Sequence, residues 1–181
     1  MSPARPSGLT GMNANPAGQL DTRFSAPDAA PTPWSVTWQV LEHAELYWIT
    51  TVRPDGRPHV TPLVGIAADD AVYFTTGLEE QKARNLQRNP HVAITTGNNS
   101  WASGVDVVVE GDAVRVSDRE SLQRLADAYE AKYGSSWRFE VGDGVLTHGE
   151  HGEIGAALFR IEPAKVLAFA KDPHGQTRYS Y

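Results

Sequence analysis

The chain has 181 residues and a formal net charge of −6, with 40% hydrophobic and 21% charged residues. This length predicts one domain, or one domain with a tail. The acidic balance argues against a general nucleic-acid binder, which needs clustered lysines and arginines to neutralise phosphates. The sequence contains no cysteine, which excludes disulfides, thiolate metal sites and cysteine nucleophiles. We expect no membrane span and no secretion signal, because no apolar run is long enough, and therefore a cytoplasmic protein.

Residues 1–33 form the first predicted unit. They contain six of the 12 prolines and three of the 16 glycines, without a hydrophobic period of 2 or 3.6. Such a stretch buries too little apolar surface to offset the entropy of ordering it. We predict a flexible N-terminal arm over 1–33 and a folded domain over 34–181, although an arm that docks on a partner subunit would have the same composition.

A short helix and a β-hairpin open the predicted domain. Residues 35–43 carry apolar side chains at helical spacing. Residues 46–52 are rich in β-branched and aromatic side chains, which favour a strand, and a turn with proline and glycine follows at 53–57. Residues 59–66 then form the predicted return strand.

A third strand, a helix and a fourth strand come next. The third strand is predicted over 71–75. Thr76 and Glu79 match a capping box, in which a hydroxyl and a carboxylate three residues apart satisfy free amides at a helix start. They predict a helix over 79–88, and a fourth strand is predicted over 91–96.

The fifth strand, predicted over 105–116, has valines that change face. Val109 and the valines before it share one face, whereas Val114 and Val116 fall on the other. An extra unpaired residue shifts the alternation by one, so we predict a β-bulge at Gly111.

The last third of the chain completes a mainly β fold. A second capping box at 117–120 predicts a helix, and the glycine-rich residues 135–155 are predicted to be mostly loop. The last two strands are predicted over 156–162 and 165–170, separated by a proline. This order indicates an α+β protein built on a six- or seven-stranded antiparallel barrel, closed or nearly closed.

The segment Lys-Ala-Arg-Asn-Leu, residues 82–86, is the first candidate binding site. It follows a strand that ends in two threonines, so hydroxyls, helix-start amides and two cations could converge on one anion such as a phosphate. The groups concerned are Thr75, Thr76, Lys82 and Arg84. The same spacing also fits a solvated helix face on which the cations pair with neighbouring glutamates.

The return strand is the second candidate. Pro58 and Pro62 cannot donate to a sheet ladder, which predicts an edge or interrupted strand whose backbone groups are free to approach a flat ligand. His59 and Thr61 share one face of it. An equally open interpretation is that the prolines only prevent edge pairing.

Other patterns are weaker. His148, Glu150 and His151 offer two imidazoles and a carboxylate, but they lack the spacing of a zinc motif and a fourth ligand, so no metal is predicted. A metal-dependent hydrolase built on these histidines is the least supported alternative. The sequence has no phosphate-binding glycine loop, nucleophile elbow or paired carboxylates. If the protein is an enzyme, a cofactor carries its reaction.

Several segments resemble a known family when they are taken in order. They are Tyr47–Pro62, Tyr73–Gly77, Lys82–Leu86, Asn89–Pro90 and Val108–Gly111. The series, over roughly residues 34–170, resembles the pyridoxamine 5'-phosphate oxidase-like split β-barrel superfamily. Within that superfamily it is most similar to the B group of flavin/deazaflavin oxidoreductases.

The resemblance implies an FMN-binding type of split barrel, a homodimer with cofactor sites between its subunits, and a small-molecule acceptor. Members bind FMN or the deazaflavin coenzyme F420, and reduced F420 passes a hydride to an unsaturated or quinone-like acceptor. We therefore expect an F420-dependent oxidoreductase. The alternatives are an FMN-dependent oxidoreductase and a non-enzymatic protein that carries a cofactor or another planar ligand such as haem.

The resemblance also implies a set of site residues and needs no protein nucleophile. The residues implied around the cofactor phosphate are Thr75, Thr76, Lys82, Ala83 and Arg84. The residues implied along the ring, largely through backbone groups, are His59, Val60, Thr61 and Pro62. The resemblance further implies that Trp101 borders the pocket, from the same or the partner subunit. The sequence has no second basic cluster for a substrate phosphate, so oxidation of pyridoxamine phosphate is not expected.

Overall fold

The computed structural model describes residues 16–148 and 155–181. In these ranges it contains one antiparallel sheet of 11 strands and three α-helices. The first strands are β1 (Gln19–Leu20), β2 (Tyr47–Val52), β3 (Pro58–Leu63), β4 (Gly65–Ala68), β5 (Ala71–Gly77) and β6 (His91–Thr96). The later strands are β7 (Val105–Val116), β8 (Phe139–Val141), β9 (Leu146–His148), β10 (Ala156–Lys171) and β11 (His174–Ser180). The helices are α1 (Trp34–His43), α2 (Gln81–Leu86) and α3 (Arg119–Tyr133).

The sheet is split and not closed. Its main path runs β1-β11-β10-β7-β6-β2-β3, and the first half of β10 also pairs with β5, which pairs with β4. The return strand predicted over 59–66 is therefore two strands, and Val64 lies between them. β3 pairs with β2 and β4 pairs with β5, so the chain crosses from one border of the sheet to another at this point. The antiparallel, mainly β fold is confirmed, with more strands than the six or seven expected.

Two hydrophobic cores lie on either side of this sheet. Trp34 and Leu41 of α1 belong to the first core, and Leu122 and Tyr129 of α3 belong to the second. Each fully buried side chain of this size contributes roughly 1.5–3 kcal/mol. The predicted helix at 35–43 is confirmed. α3 also forms, but its N-cap is Asp118, whose carboxylate accepts a hydrogen bond from a backbone amide one turn later.

Residues 16–33 are held against the domain. β1 pairs with β11, the Asp21 N–H donates to the carbonyl of Gln176 at 2.8 Å, and the Thr32 N–H donates to Oγ1 of Thr177 at 2.8 Å. This differs from the flexible arm expected over 1–33, because β11, which the sequence did not predict, gives the segment a strand to pair with. The first 15 residues lie outside the described residues.

The bulge lies on the partner of the strand for which we predicted it. β7 runs through Gly111 with unbroken pairing to β6, whereas the register of β10 shifts after Pro163, leaving Ala164 as the extra residue. A proline cannot donate to the ladder, which suits a bulge. Gly111 instead allows close approach, since a Cβ there would lie 2.0 Å from the Glu162 carbonyl oxygen. The valines change face because Val116 packs on the second core.

The C-terminal part contains more strand than expected. β10 is continuous from Ala156 to Lys171, although two strands separated by Pro163 were predicted. In the segment 135–155, predicted as loop, β8 and β9 pair and bring Phe139 and Leu146 into the second core. Short strands with few β-branched residues give little pattern, and tertiary packing decides their conformation.

A hydrogen-bonded cluster anchors the split between β3 and β4. The Tyr133 hydroxyl donates to the carbonyl of Gly65 at 2.8 Å and accepts from its N–H at 3.1 Å. Nζ of Lys132 donates to the same carbonyl at 3.1 Å and to the Tyr47 hydroxyl at 3.2 Å. A Cβ on Gly65 would lie 2.9 Å from the Tyr73 carbonyl oxygen, so glycine suits this crossing. Burial lowers the pKa of Lys132 to about 8.

The lowered pKa predicts a pH dependence of stability. The unfolded chain holds the Lys132 proton up to about pH 10.5, whereas the folded protein releases it near pH 8, so the free energy of unfolding should rise between these values. We expect a rise on the order of 1 kcal/mol between pH 7.5 and 9.5, after allowance for solvent screening. Urea unfolding of the protein and of Lys132→Met at both pH values measures it. An equal pH dependence in the two proteins would contradict this assignment.

Candidate functional site

The turn between β5 and α2 differs from the predicted capping box. Thr76 stays in β5, because the strand pairs with β10 as far as Gly77, and α2 begins at Gln81. Glu80 takes the place that the prediction gave to Glu79: its side chain folds back, and Oε1 accepts a hydrogen bond from the Gly77 N–H at 2.7 Å. The helix predicted over 79–88 is therefore shorter. Glu79 and Glu80 lie before its first residue, and their side chains point in different directions.

Lys82 is buried beneath the start of α2. The residue is only 7% exposed, and its ammonium pairs with the Glu80 carboxylate. The hydroxyl of Thr76, a residue that is also buried, lies beside the same carboxylate. Burial opposes ionisation of Glu80, yet hydrogen bonds from Lys82 and Gly77 hold the pKa of its carboxyl below the usual value. Thr76, Gly77 and Lys82 thus surround one anionic group, and we call these three residues the anion cradle.

A buried network fixes α2 against the sheet. Asn85, which is fully buried, donates from Nδ2 to Oγ1 of Thr51 on β2 at 2.9 Å. Nε2 of Gln81 donates to Oδ1 of Asn85 at 2.8 Å, one turn along the helix. Oγ1 of Thr51 also lies 3.5 Å from Nδ1 of His59. Because Gln81 and Asn85 flank Lys82 in the helix, this network fixes the backbone that carries Lys82.

β3 brings two predicted residues towards the cradle. It forms an edge of the sheet, as its two prolines predicted. His59 pairs with Thr51 and Thr61 pairs with Ile49, so both side chains point to the side that β2 buries. Burial lowers the pKa of His59, and the charges of Arg53 and Lys82 lower it further. Oγ1 of Thr61 is buried and has no hydrogen-bond partner within the described residues.

The structure separates other predicted residues from this group. Val60, 53% exposed, and Pro62 alternate with His59 and Thr61, so they face the outside of the sheet and only their backbone borders the inner side. Thr75 shares its face of β5 with the second core, opposite Thr76.

Within α2 the predicted residues also diverge. Arg84 is exposed and donates to Oε2 of Glu79 at 2.9 Å, whereas Lys82 points inwards and Ala83 is buried. The prediction treated the two cations as one phosphate clamp, but residues two apart on a helix do not share a face. Of the two, only Lys82 belongs to the cradle.

Trp101 lies away from Lys82 in its own subunit. Thr51 and the α2 network are near the C-terminal end of β2, whereas the loop that holds Trp101 follows β6 beyond the other end. The indole is 93% exposed and borders a groove of ≈ 780 Å³ beside Phe169. Nζ of Lys171 holds the base of the loop through the carbonyl oxygens of Asn98, at 2.7 Å, and Ser100, at 2.6 Å.

A second groove, of ≈ 720 Å³, runs along the outer face of β2, β6 and β7. It contains His91, whose Nδ1 lies 2.6 Å from Oδ1 of Asp112, and none of the predicted site residues.

In residues 16–148 and 155–181 no three histidine, aspartate or glutamate side chains are placed to hold a metal ion. His148 packs on Phe139, with ring centroids 4.6 Å apart, while Glu150 and His151 lie outside the described residues. None of the described helices is long and apolar enough to cross a membrane.

Sequence reasoning missed three residues of this site. Asn85 carried a signal, since asparagine is unfavourable inside a helix unless its amide has a partner. Thr51 carried none, because a threonine in a strand is ordinary. The sequence pattern fits Glu80 as an ordinary surface partner of the helix cations, and only the geometry of the turn places its carboxylate in the cradle.

Comparisons with known proteins agree with this architecture. A protein 39% identical over 83 residues is the pyridoxine/pyridoxamine 5'-phosphate oxidase of Gluconobacter oxydans (strain 621H); the match covers 45% of this chain and 38% of that protein. The conserved hypothetical protein Rv2991 from Mycobacterium tuberculosis superposes with a TM-score of 0.62 at 20% identity, over 81% of this chain and 89% of that one. The FAD binding protein from Mycobacterium smegmatis gives 0.54 at 17% identity, over 83% and 98%.

The structural likenesses show the fold. The family is shown by the sequence: residues 38–170, which include the cradle, β3 and the loop of Trp101, match the family model described as pyridoxamine 5'-phosphate oxidase. The chain therefore belongs to the pyridoxamine 5'-phosphate oxidase family.

Proposed function

We propose that this protein is an oxidoreductase that binds a phosphate-bearing deazaflavin, F420, and reduces an unsaturated or quinone-like small molecule. The observation that carries the proposal is the anion cradle beside β3, where a buried ammonium and a backbone amide already hold a negative group. The order of the sequence segments supports F420, and FMN is the alternative cofactor. The structural likeness to a FAD binding protein supports a flavin-type ligand in general.

The residues present fit such a cofactor at both of its ends. A phosphate needs charged or amide donors, and Lys82 and Gly77 supply them from positions that the fold holds fixed. A flat heterocycle needs hydrogen bonds along its polar rim. The free edge of β3 offers backbone groups there, and the Thr61 hydroxyl lacks a partner within the described residues.

The chain contributes orientation, charge and exclusion of water. The bound cofactor supplies the hydride chemistry itself. Lys82 would balance the phosphate charge, and the hydrogen bond from Asn85 to Thr51 holds the helix that carries Lys82 against the sheet. The edge of β3 would orient the ring, and His59, whose pKa is lowered by burial and by the charges of Arg53 and Lys82, would border it from the inner side of β3. Holding two reactants in a reactive geometry is by itself worth several kcal/mol of the barrier.

We further propose that the protein is a homodimer. Leu46, Trp48 and Val60 are each about half exposed, and the last two lie on neighbouring strands with their side chains on the same outer face. Exposed apolar patches of this kind mark interaction sites, and aromatic residues are enriched in them. In such a dimer we expect Trp101 of the partner subunit, and not Trp101 of the same chain, to border the cofactor, because Trp101 lies away from Lys82 within one chain.

A second candidate function is cofactor carriage without catalysis. The observation that favours it is that the FAD binding protein from Mycobacterium smegmatis shares the fold. Tight binding of F420 or FMN, with no electron transfer to any acceptor tested, would favour this candidate.

Lys82→Ala tests the cradle. We expect the dissociation constant of F420 to rise roughly ten- to hundred-fold, corresponding to about 1.5–3 kcal/mol for a lost charged hydrogen bond. Parallel fluorescence titrations with F420 and FMN measure it, and thermal unfolding confirms that the variant is folded. Arg84→Ala is the matched control, because that cation is exposed and pairs with Glu79, and it should stay within about two-fold.

The outcomes of these titrations separate the candidates. Stronger binding of F420 supports the deazaflavin reductase, and stronger binding of FMN moves the protein to the flavin enzymes of the family. Failure of the protein to bind either cofactor, or equal losses in the two variants, would contradict the proposal.

The homodimer is tested by mass in solution. Sedimentation velocity should give twice the chain mass of 19.7 kDa. Trp48→Glu should shift the protein to the monomer, because a charge in the centre of an apolar interface is left unpaired. Phe24→Glu, at an exposed aromatic residue on the N-terminal segment, should leave the dimer intact. A wild-type protein that sediments as a monomer at micromolar concentration would contradict the dimer.

A further inference from the structure

We propose that Glu80 is a resident competitor for the anion cradle. Its carboxylate occupies the position of a bound anion until a phosphate displaces it, and it thereby selects for phosphates of low charge. The identity of the natural ligand rests on the function proposed above. The competition itself rests on the contacts of the turn between β5 and α2.

The two oxygens of the Glu80 carboxylate use the donors of the cradle. Oε1 accepts from the Gly77 N–H at 2.7 Å, and Oε2 accepts from Nζ of Lys82. The hydroxyl of Thr76 lies beside the same group. An incoming phosphate that seeks these donors must therefore take them from Glu80.

Burial is unequal across this ion pair. The side chain of Lys82 is 9% exposed, whereas that of Glu80 is 52% exposed. The ammonium has little access to water, so leaving it unpaired is costly. The carboxylate can rotate into water at little cost, because half of its side chain is already solvated. Glu80 is thus the displaceable member, and Lys82 is the fixed one.

A displaced Glu80 stays close to the site. It is two residues from Lys82 in the chain, directly before the first residue of α2, so its charge continues to act on whatever occupies the cradle. Glu79 differs, because its carboxylate faces solvent and pairs with Arg84. The tethered charge of Glu80 opposes entry of any anion, and it opposes a dianion more than a monoanion.

The charge of the ligand phosphate then decides its affinity. A phosphate monoester carries about −1.5 to −2 at pH 7, whereas a diester has one ionisable oxygen and carries about −1. FMN ends in a monoester. Compared with a cradle that lacks this carboxylate, the cradle is therefore shifted towards a cofactor whose phosphate is esterified on both sides, and Glu80 is the residue that makes this distinction.

The test uses small anions, so that it does not depend on recognition of a ring. Inorganic phosphate and dimethyl phosphate are titrated at pH 7.5 into the full-length protein, and the backbone amide of Gly77 is followed by 15N NMR. The variants are Glu80→Gln and the matched control Glu79→Gln, which removes the same charge one residue away. The affinity for dimethyl phosphate relative to that for phosphate is compared between the wild type and each variant.

In Glu80→Gln, phosphate should bind at least five-fold more tightly than in the wild type, and this gain should exceed the gain for dimethyl phosphate. Glu79→Gln should stay within two-fold of the wild type. Equal gains in both variants would show a general charge effect and overturn the proposal. Weaker binding in Glu80→Gln would assign Glu80 the role of holding Lys82 in place, and an amide that neither anion shifts would show that the cradle does not bind anions; either result overturns it.

Titrations of the same proteins with F420 and FMN distinguish a failure of this inference from a failure of the proposed function. If the anions compete as expected but neither F420 nor FMN binds the wild type, the cofactor proposal fails and the competition stands. If a cofactor binds and Glu80→Gln changes neither anion, the competition fails and the cofactor proposal stands.

Discussion

The need of the buried Lys82 ammonium for a negative partner shapes the region around it. An unpaired charge at this depth would cost several kcal/mol, and the chain supplies a carboxylate two residues away to prevent that. The partner is half solvated, so the pair is fixed on one side and exchangeable on the other. A strand end, a turn and a short helix are arranged around this pair, and a ligand anion meets donors that are already positioned.

The split of the sheet provides the second part of the site. A closed barrel would pair both edges of β3, whereas the crossing at Gly65 leaves one of them without a strand among the described residues. Lys132 and Tyr133, at the end of α3, hold this crossing through their hydrogen bonds to the Gly65 carbonyl. Residues beside the second core thus stabilise the gap in the sheet that leaves the edge of β3 unpaired among the described residues. The backbone of β3 and the cradle belong to neighbouring elements that Thr51 and Asn85 join. Their relative position therefore depends on packing and not on loop conformation.

Much of the fold could be predicted from the sequence, because its main strands and helices carry strong local patterns. The limits of β6 and β7 agree with the prediction, since β-branched residues fill both strands. β1, β8 and β9 are too short to show a pattern and β11 consists largely of polar residues, so these strands could not be predicted. The bulge was placed on the wrong strand for a similar reason: the alternation of the valines in β7 reflects two cores, which a single strand cannot reveal.

The candidate site likewise contains residues whose orientation follows from local periodicity and residues whose position depends on distant parts of the chain. The sequence placed His59 and Thr61 on one face of their strand, and the structure points both towards the Thr51 side of β2. Arg84 and Thr75 were grouped with Lys82 by closeness in sequence, but helical and strand periodicity turn them away. The place of Glu80 depends on how far β5 extends before the helix starts. That limit is set by pairing with β10, which is about 80 residues further along the chain.

The most direct test of the account is the crystal structure of the protein with bound F420 or FMN. We predict that a phosphate oxygen lies within about 3 Å of both Nζ of Lys82 and the Gly77 amide nitrogen, and that the Glu80 carboxylate is turned out into solvent. A phosphate bound elsewhere, with Lys82 still paired to Glu80, would contradict it.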